Sequence, residues 1–130
     1  MIKETYVSFE VAKLLQEKGF DIECNNAYYN GHLIDYTMYG FCGALDFIFA
    51  PTHQMAMAWL RENGLHINAP ISYDYSVDAD GNEVDRWTFY MFEIYSSFSG
   101  NLIYTEEVNE YDSYEEAVEA AIKYCLENLI

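Results

Sequence analysis

A chain of 130 residues that is 52% hydrophobic, with 13 Tyr, 8 Phe and 2 Trp, carries enough apolar surface to fold as one domain over 1–130, which excludes a disordered linker or tail. Its 22 Asp and Glu against 6 Lys and Arg give a net charge of −16, so neither a basic nucleic-acid surface nor an anchor for anionic lipid can be built from it. No apolar run approaches the ~20 residues of a membrane-spanning helix, and no basic segment followed by a long apolar core opens the chain. The sequence therefore reads as a soluble cytoplasmic protein.

The first element is a helix over Val7–Lys18, with Ser8 able to accept the orphan amide protons of its first turn and Val11, Ala12, Leu14 and Leu15 on one face. Gly19 is placed to end it in the left-handed conformation, so that Phe20 packs back on Leu15. Phe20–Tyr29 reads as extended. Asn30-Gly31 then signals a two-residue hairpin, because the mirror-image turn needs positive φ at both positions. The returning strand is Leu33–Tyr39, with Ile34, Tyr36 and Met38 expected on its buried face. Gly40–Ala44 reads as a loop, and Leu45–Ala50 as a short apolar run.

Pro51 holds Ala50 out of the helical region, so the second helix starts no earlier than Thr52, its expected cap. Met55, Ala56, Trp59 and Leu60 form its predicted core stripe. The stretch Trp59–Ile67 nearly repeats Leu14–Ile22, and Gly64 with Leu65 plays the part of Gly19 with Phe20. The repeat continues as helix, strand, hairpin, strand: Leu65–Val77 extended, a turn at Asp80-Gly81, and Val84–Tyr95 extended. Few polar positions on either face of Val84–Tyr95 mark it as a central strand. A turn at Ser99–Asn101 leads to a further strand, Leu102–Val108.

The last helix opens with a capping box, Ser113 and Glu116, each expected to satisfy an amide at the other's position. Tyr114, Ala117, Val118, Ala121, Ile122, Cys125 and Leu129 make its apolar stripe, while Glu115, Glu119, Lys123 and Glu127 are expected to face outward, Glu119 pairing with Lys123. The predicted fold is α+β: three helices on one face of a mostly antiparallel sheet, in the order α-β-β-α-β-β-β-α.

Catalytic and metal signals are weak. Cys24, Cys42 and Cys125 are an odd, scattered set that suits free thiols in a reducing compartment. With His32, His53 and His66 they form no closely spaced zinc-ligand pair, and for Cys24 or Cys42 to act as a nucleophile the fold would have to supply a nearby His and a depressed pKa, which sequence does not show. Counting from Asp78, the acidic loop Asp78–Glu83 places Glu83 where an EF-hand needs Gly and Phe89 where it needs a bidentate Glu, so a hairpin turn explains it better. Phosphate loops, dinucleotide fingerprints and nucleophile elbows are absent. No cofactor is expected.

Two segments carry a resemblance. Ala50–Glu62, APTHQMAMAWLRE, and Tyr111–Ile130, YDSYEEAVEAAIKYCLENLI, resemble a family of small acidic proteins of unknown function encoded by gut bacteria and their phages or mobile elements. The resemblance implies a genomic setting and brings no catalytic residues with it.

The function expected from the sequence is that of a small acidic, non-catalytic interaction protein whose partner is an unknown protein, basic if the carboxylates read it, with a homodimer also open. The candidate face comprises Glu106, Glu107, Glu110, Asp112, Glu115, Glu116, Glu119 and Glu127. Two other classes remain: a DNA mimic, whose carboxylates would have to line up as phosphates do, and an enzyme with a site assembled in space.

Overall fold

Each helix begins where a hydroxyl meets an orphan amide. The computed structural model describes residues 3–38 and 46–130, and in it α1 (Phe9–Glu17), α2 (His53–Glu62) and α3 (Tyr114–Asn128) are capped by Ser8, Thr52 and Ser113, whose side chains accept from Val11, Met55 and Glu116. Glu116 completes the last cap one residue earlier than expected, accepting from the Asp112 amide at 3.1 Å rather than from Ser113. Gly19 and Gly64 close α1 and α2 with φ of 98° and 92°. The Phe20 amide bonds the Leu15 carbonyl at 2.9 Å, the link that brings the two buried side chains together.

The described residues hold eight strands: β1 (Asn26–Tyr29), β2 (His32–Asp35), β3 (Ile48–Phe49), β4 (Leu65–Asn68), β5 (Ile71–Val77), β6 (Glu83–Tyr90), β7 (Glu93–Ser96) and β8 (Leu102–Thr105). All pairings are antiparallel, and the class is α+β. The single expected sheet is three small ones, ordered β2-β1-β3, β4-β7-β8 and β5-β6. Asn30 and Gly31, at φ 51° and 79°, make the expected turn between β1 and β2.

Several boundaries differ from expectation. Of Phe20–Tyr29 only the last four residues pair, and β2 stops at Asp35, whose carboxylate accepts from the Thr37 amide and tips Tyr36–Met38 into a 3-10 turn. Met38 is exposed rather than buried. The predicted strand end at Tyr39, the loop Gly40–Ala44 with Cys42, and Leu45 lie outside the described residues. Leu65–Val77 breaks at Ala69-Pro70, and Val84–Tyr95 breaks at Met91-Phe92, where the Met91 amide bonds the Pro70 carbonyl at 3.1 Å. The inner halves, β4 and β7, belong to the body, with β7 central in its sheet. The outer halves, β5 and β6, do not.

One core joins the three helices to β4 and β7. Val11 and Leu15 of α1, Ala56 and Leu60 of α2, Ile67 and Ile94 of the sheet, and Val118, Ile122 and Leu126 of α3 meet in it. The buried stripe of α2 is rotated from the predicted one: His53, Ala56, Met57 and Leu60 face inward, Met55 is exposed, and Trp59 sits half-buried with its ring edge-on to Phe20 at 5.7 Å. Leu126 joins the stripe of α3, while Tyr114 and Leu129 are only partly covered.

Candidate functional site

The eight acidic residues singled out in the sequence divide into two sets. Glu107, Glu110, Asp112, Glu115, Glu116 and Glu127 are exposed along α3 and the segment before it. Glu106 and Glu119 turn inward. Glu106, at the end of β8, is buried and accepts from the Val108 and Asn109 amides at 2.9 and 3.3 Å. Those bonds, the Val108 amide foremost, hold its carboxyl below the usual range against the opposing effect of burial.

Glu119 is the larger departure. It neither faces outward nor pairs with Lys123, which reaches Glu10 of α1 instead at 3.0 Å. Its carboxylate accepts from the Ser8 amide at 3.2 and 3.3 Å and meets His53 Nε2 at 2.9 Å. A carboxylate only accepts, so Nε2 carries a proton; in the neutral ring Nδ1 then accepts from the Thr5 hydroxyl at 2.7 Å. Burial raises the Glu119 pKa, but the bonds from His53 and Ser8 together outweigh it and leave the group below its ordinary value of 4.5. One carboxylate of α3 thus pins the first turns of both α1 and α2.

Hydroxyl, imidazole and carboxylate in series have the connectivity of a proton relay. Thr5 and His53 border a cleft of about 250 Å³ that Lys3, Gln54 and Tyr114 also line, whereas Glu119 lies on a neighbouring, more open depression with Tyr6 and Ser8. Relay chemistry at a carbonyl also needs amides free to hold an oxyanion. Here the His53 amide is spent on the Thr5 carbonyl, and Met55 and Ala56 donate back to Thr52. Structurally, the cluster ties α3 to the first turns of α1 and α2. No group of three or more His, Cys, Asp and Glu among the described residues is placed to hold a metal ion. Asp78 Oδ1, in the loop weighed for calcium, accepts from the Asp80 and Asn82 amides at 2.9 Å and so builds the turn.

A different surface stands out. Strands β5 and β6 form a two-stranded arm whose main packing partner is each other. Ile71, Tyr73, Tyr75, Val77, Val84 and Trp87 are each 41–66% exposed along it. Directly opposed residues share a face. One face carries Ile71, Tyr73 and Tyr75 opposite Tyr90, Thr88 and Arg86, and beyond a register shift Val77 opposite Glu83. The other carries Ser72, Asp74 and Ser76 opposite Phe89, Trp87 and Asp85. The Arg86 guanidinium lies 4.5 Å from the centre of the Tyr73 ring and its Nε donates to Glu83 at 2.7 Å.

Sequence reading missed the arm because its run of apolar residues resembles a buried strand. A contrary signal was present: Asp74, Asp78, Asp80, Glu83 and Asp85 crowd one hairpin, and that many charges cannot enter a core unpaired. The Thr5–His53–Glu119 link left no signal, since its members are 48 and 66 residues apart. Comparison with family models, with curated proteins and with solved structures finds no match to this chain.

Proposed function

We propose that this chain is a small acidic, non-catalytic interaction protein that meets its partner through the β5–β6 arm. One observation carries the reading: six large apolar side chains stand 41–66% exposed on a hairpin that packs chiefly on itself. An isolated two-stranded hairpin is marginal in water, and contiguous apolar patches on soluble proteins mark interaction sites. The setting in a phage or mobile element of gut bacteria rests on the resemblance of Ala50–Glu62 and Tyr111–Ile130. A cytoplasmic location is supported by Cys24 and Cys125, free thiols that burial pushes up to about 11 and about 12, away from the reactive range.

The test is a photo-crosslinking residue placed in turn at Tyr75 on the arm and at Glu127 on α3, in cells of the source organism. Discrete adducts from Tyr75 and none from Glu127 are expected. Adducts confined to Glu127 that duplex DNA competes away would instead favour the DNA mimic, and silence at Tyr75 would sink the arm as contact element.

A further inference from the structure

We propose that the tyrosine face of the arm binds a second copy of this chain, two arms stacking face to face about a two-fold axis. The inference rests on the arm being the contact element and names its occupant.

The edges of the arm are partly guarded. In an antiparallel ladder, opposed pairs alternate between those that bond each other and those whose amides point away. Tyr90 exchanges both backbone bonds with Tyr111, at 2.7 and 2.9 Å, so Ile71 and Tyr90 are an outward pair. Alternation then makes Tyr75 and Arg86 an outward pair as well. The Tyr75 amide is taken by Asp74 Oδ1 at 2.8 Å and the Arg86 amide by Asp85 Oδ1 at 2.9 Å. An incoming strand would have to displace a carboxylate on either edge, which is how soluble sheets resist edge pairing. The outward pair between those two, Tyr73 and Thr88, carries no such guard, so the edges are closed in part and the faces offer the larger surface.

Charge chooses between them. On the tyrosine face the charged groups are Arg86 and Glu83, already paired, so the face is neutral on a chain of net charge −16. A basic partner finds nothing there to attract it. A second copy finds an apolar surface like its own with no like charge opposite, whereas the Trp87 face would set Asp74 and Asp85 against themselves. Aromatic side chains bury ~150–250 Å² each, so half-exposed Tyr73 and Tyr75 with Ile71, Val77 and the Arg86 stem offer roughly 600 Å² a side. Two faces approach the ~1,200 Å² lower bound of specific interfaces, and stacked sheets pack aligned at ~10 Å. The dimer is accordingly weak and concentration-dependent.

Sedimentation velocity over a range of concentration and salt, on the intact chain, tests this. Dimerisation is expected to tighten with salt, since screening relieves repulsion between two anionic chains. Tyr75→Glu is expected to weaken it at least about tenfold by burying a charge, and Ser76→Glu, on the opposite face, to change it less than about twofold. Melting temperatures of both variants check that each folds. A monomer at every concentration, a dimer that salt weakens, or equal sensitivity to both substitutions would overturn the second copy as occupant. A monomer whose Tyr75 crosslinks to a different protein leaves the interaction reading standing and defeats this inference alone.

Discussion

Gly19 and Gly64 occupy the same left-handed position at the ends of two helices, yet their surroundings differ. A Cβ on Gly19 meets open space, whereas one on Gly64 comes within 2.8 Å of the Phe98 ring. Gly19→Ala should therefore cost about 1 kcal/mol from φ alone, and Gly64→Ala somewhat more, unless the exposed ring swings clear at no cost. Denaturant midpoints for the pair measure the difference. Glu119 makes a second case. Its pKa is depressed on folding, so its contribution is present above the unfolded value near 4.5 and lost as pH falls through the folded value. Glu119→Gln should lower stability by about 1–3 kcal/mol at neutral pH, and the gap between variant and parent should close as pH falls from 4.5 through the depressed folded value, a trend that urea titrations can follow. The caps and glycines were legible because each depends on a residue and its immediate neighbours. The inward turn of Glu119 was not, because α3's stripe pattern set it on the outward side with Lys123, and the Ser8 amide that draws it in arrives from far along the chain.

At the scale of elements, the hairpin between β1 and β2 was readable from Asn30-Gly31, and the start of α2 from Pro51. The division of each long predicted strand into a body half and an arm half was not. Pro70 marks one break, but Met91-Phe92 has neither Gly nor Pro, and the chain changes sheets there because Phe92 dives into the core among Tyr104, Tyr111 and Tyr124. The arm contributes no residue to the core cluster. Excising Tyr73–Thr88 and joining Ser72 to Phe89 through Asn-Gly should thus leave the body folded, with a melting temperature lowered by no more than about 4 °C, the shift that ~1 kcal/mol produces where the ranges for small and large domains meet. A collapse of cooperative unfolding in that variant would show that the arm supports the body.

For the whole molecule the dominant quantity is charge. Six exposed carboxylates along α3 and its approach face Lys123, which is itself drawn off to Glu10. Like charges ~10 Å apart repel by about 0.4 kcal/mol per pair in water, small singly but cumulative on a chain of net charge −16. Raising sodium chloride from low ionic strength should therefore stabilise the fold, with most of the gain complete once the Debye length falls to ~8 Å near 0.15 M. Thermal melts in a salt series check the sign. A salt-independent midpoint would mean that the carboxylates are spaced widely enough to ignore one another.

The two tryptophans fall on opposite sides of the division between body and arm. Trp59 lies half-buried against Phe20, and Trp87 stands 41% exposed on the hairpin beside Asp74 and Asp85. The chain therefore carries two intrinsic optical reporters with separate territories. Emission from Trp59 follows the unfolding of the helical body, while acrylamide, a neutral quencher indifferent to the surrounding carboxylates, reads the solvent access of Trp87 and hence the state of the arm. With each indole removed in turn, folding of the hairpin and integrity of the core become independently visible in one cuvette.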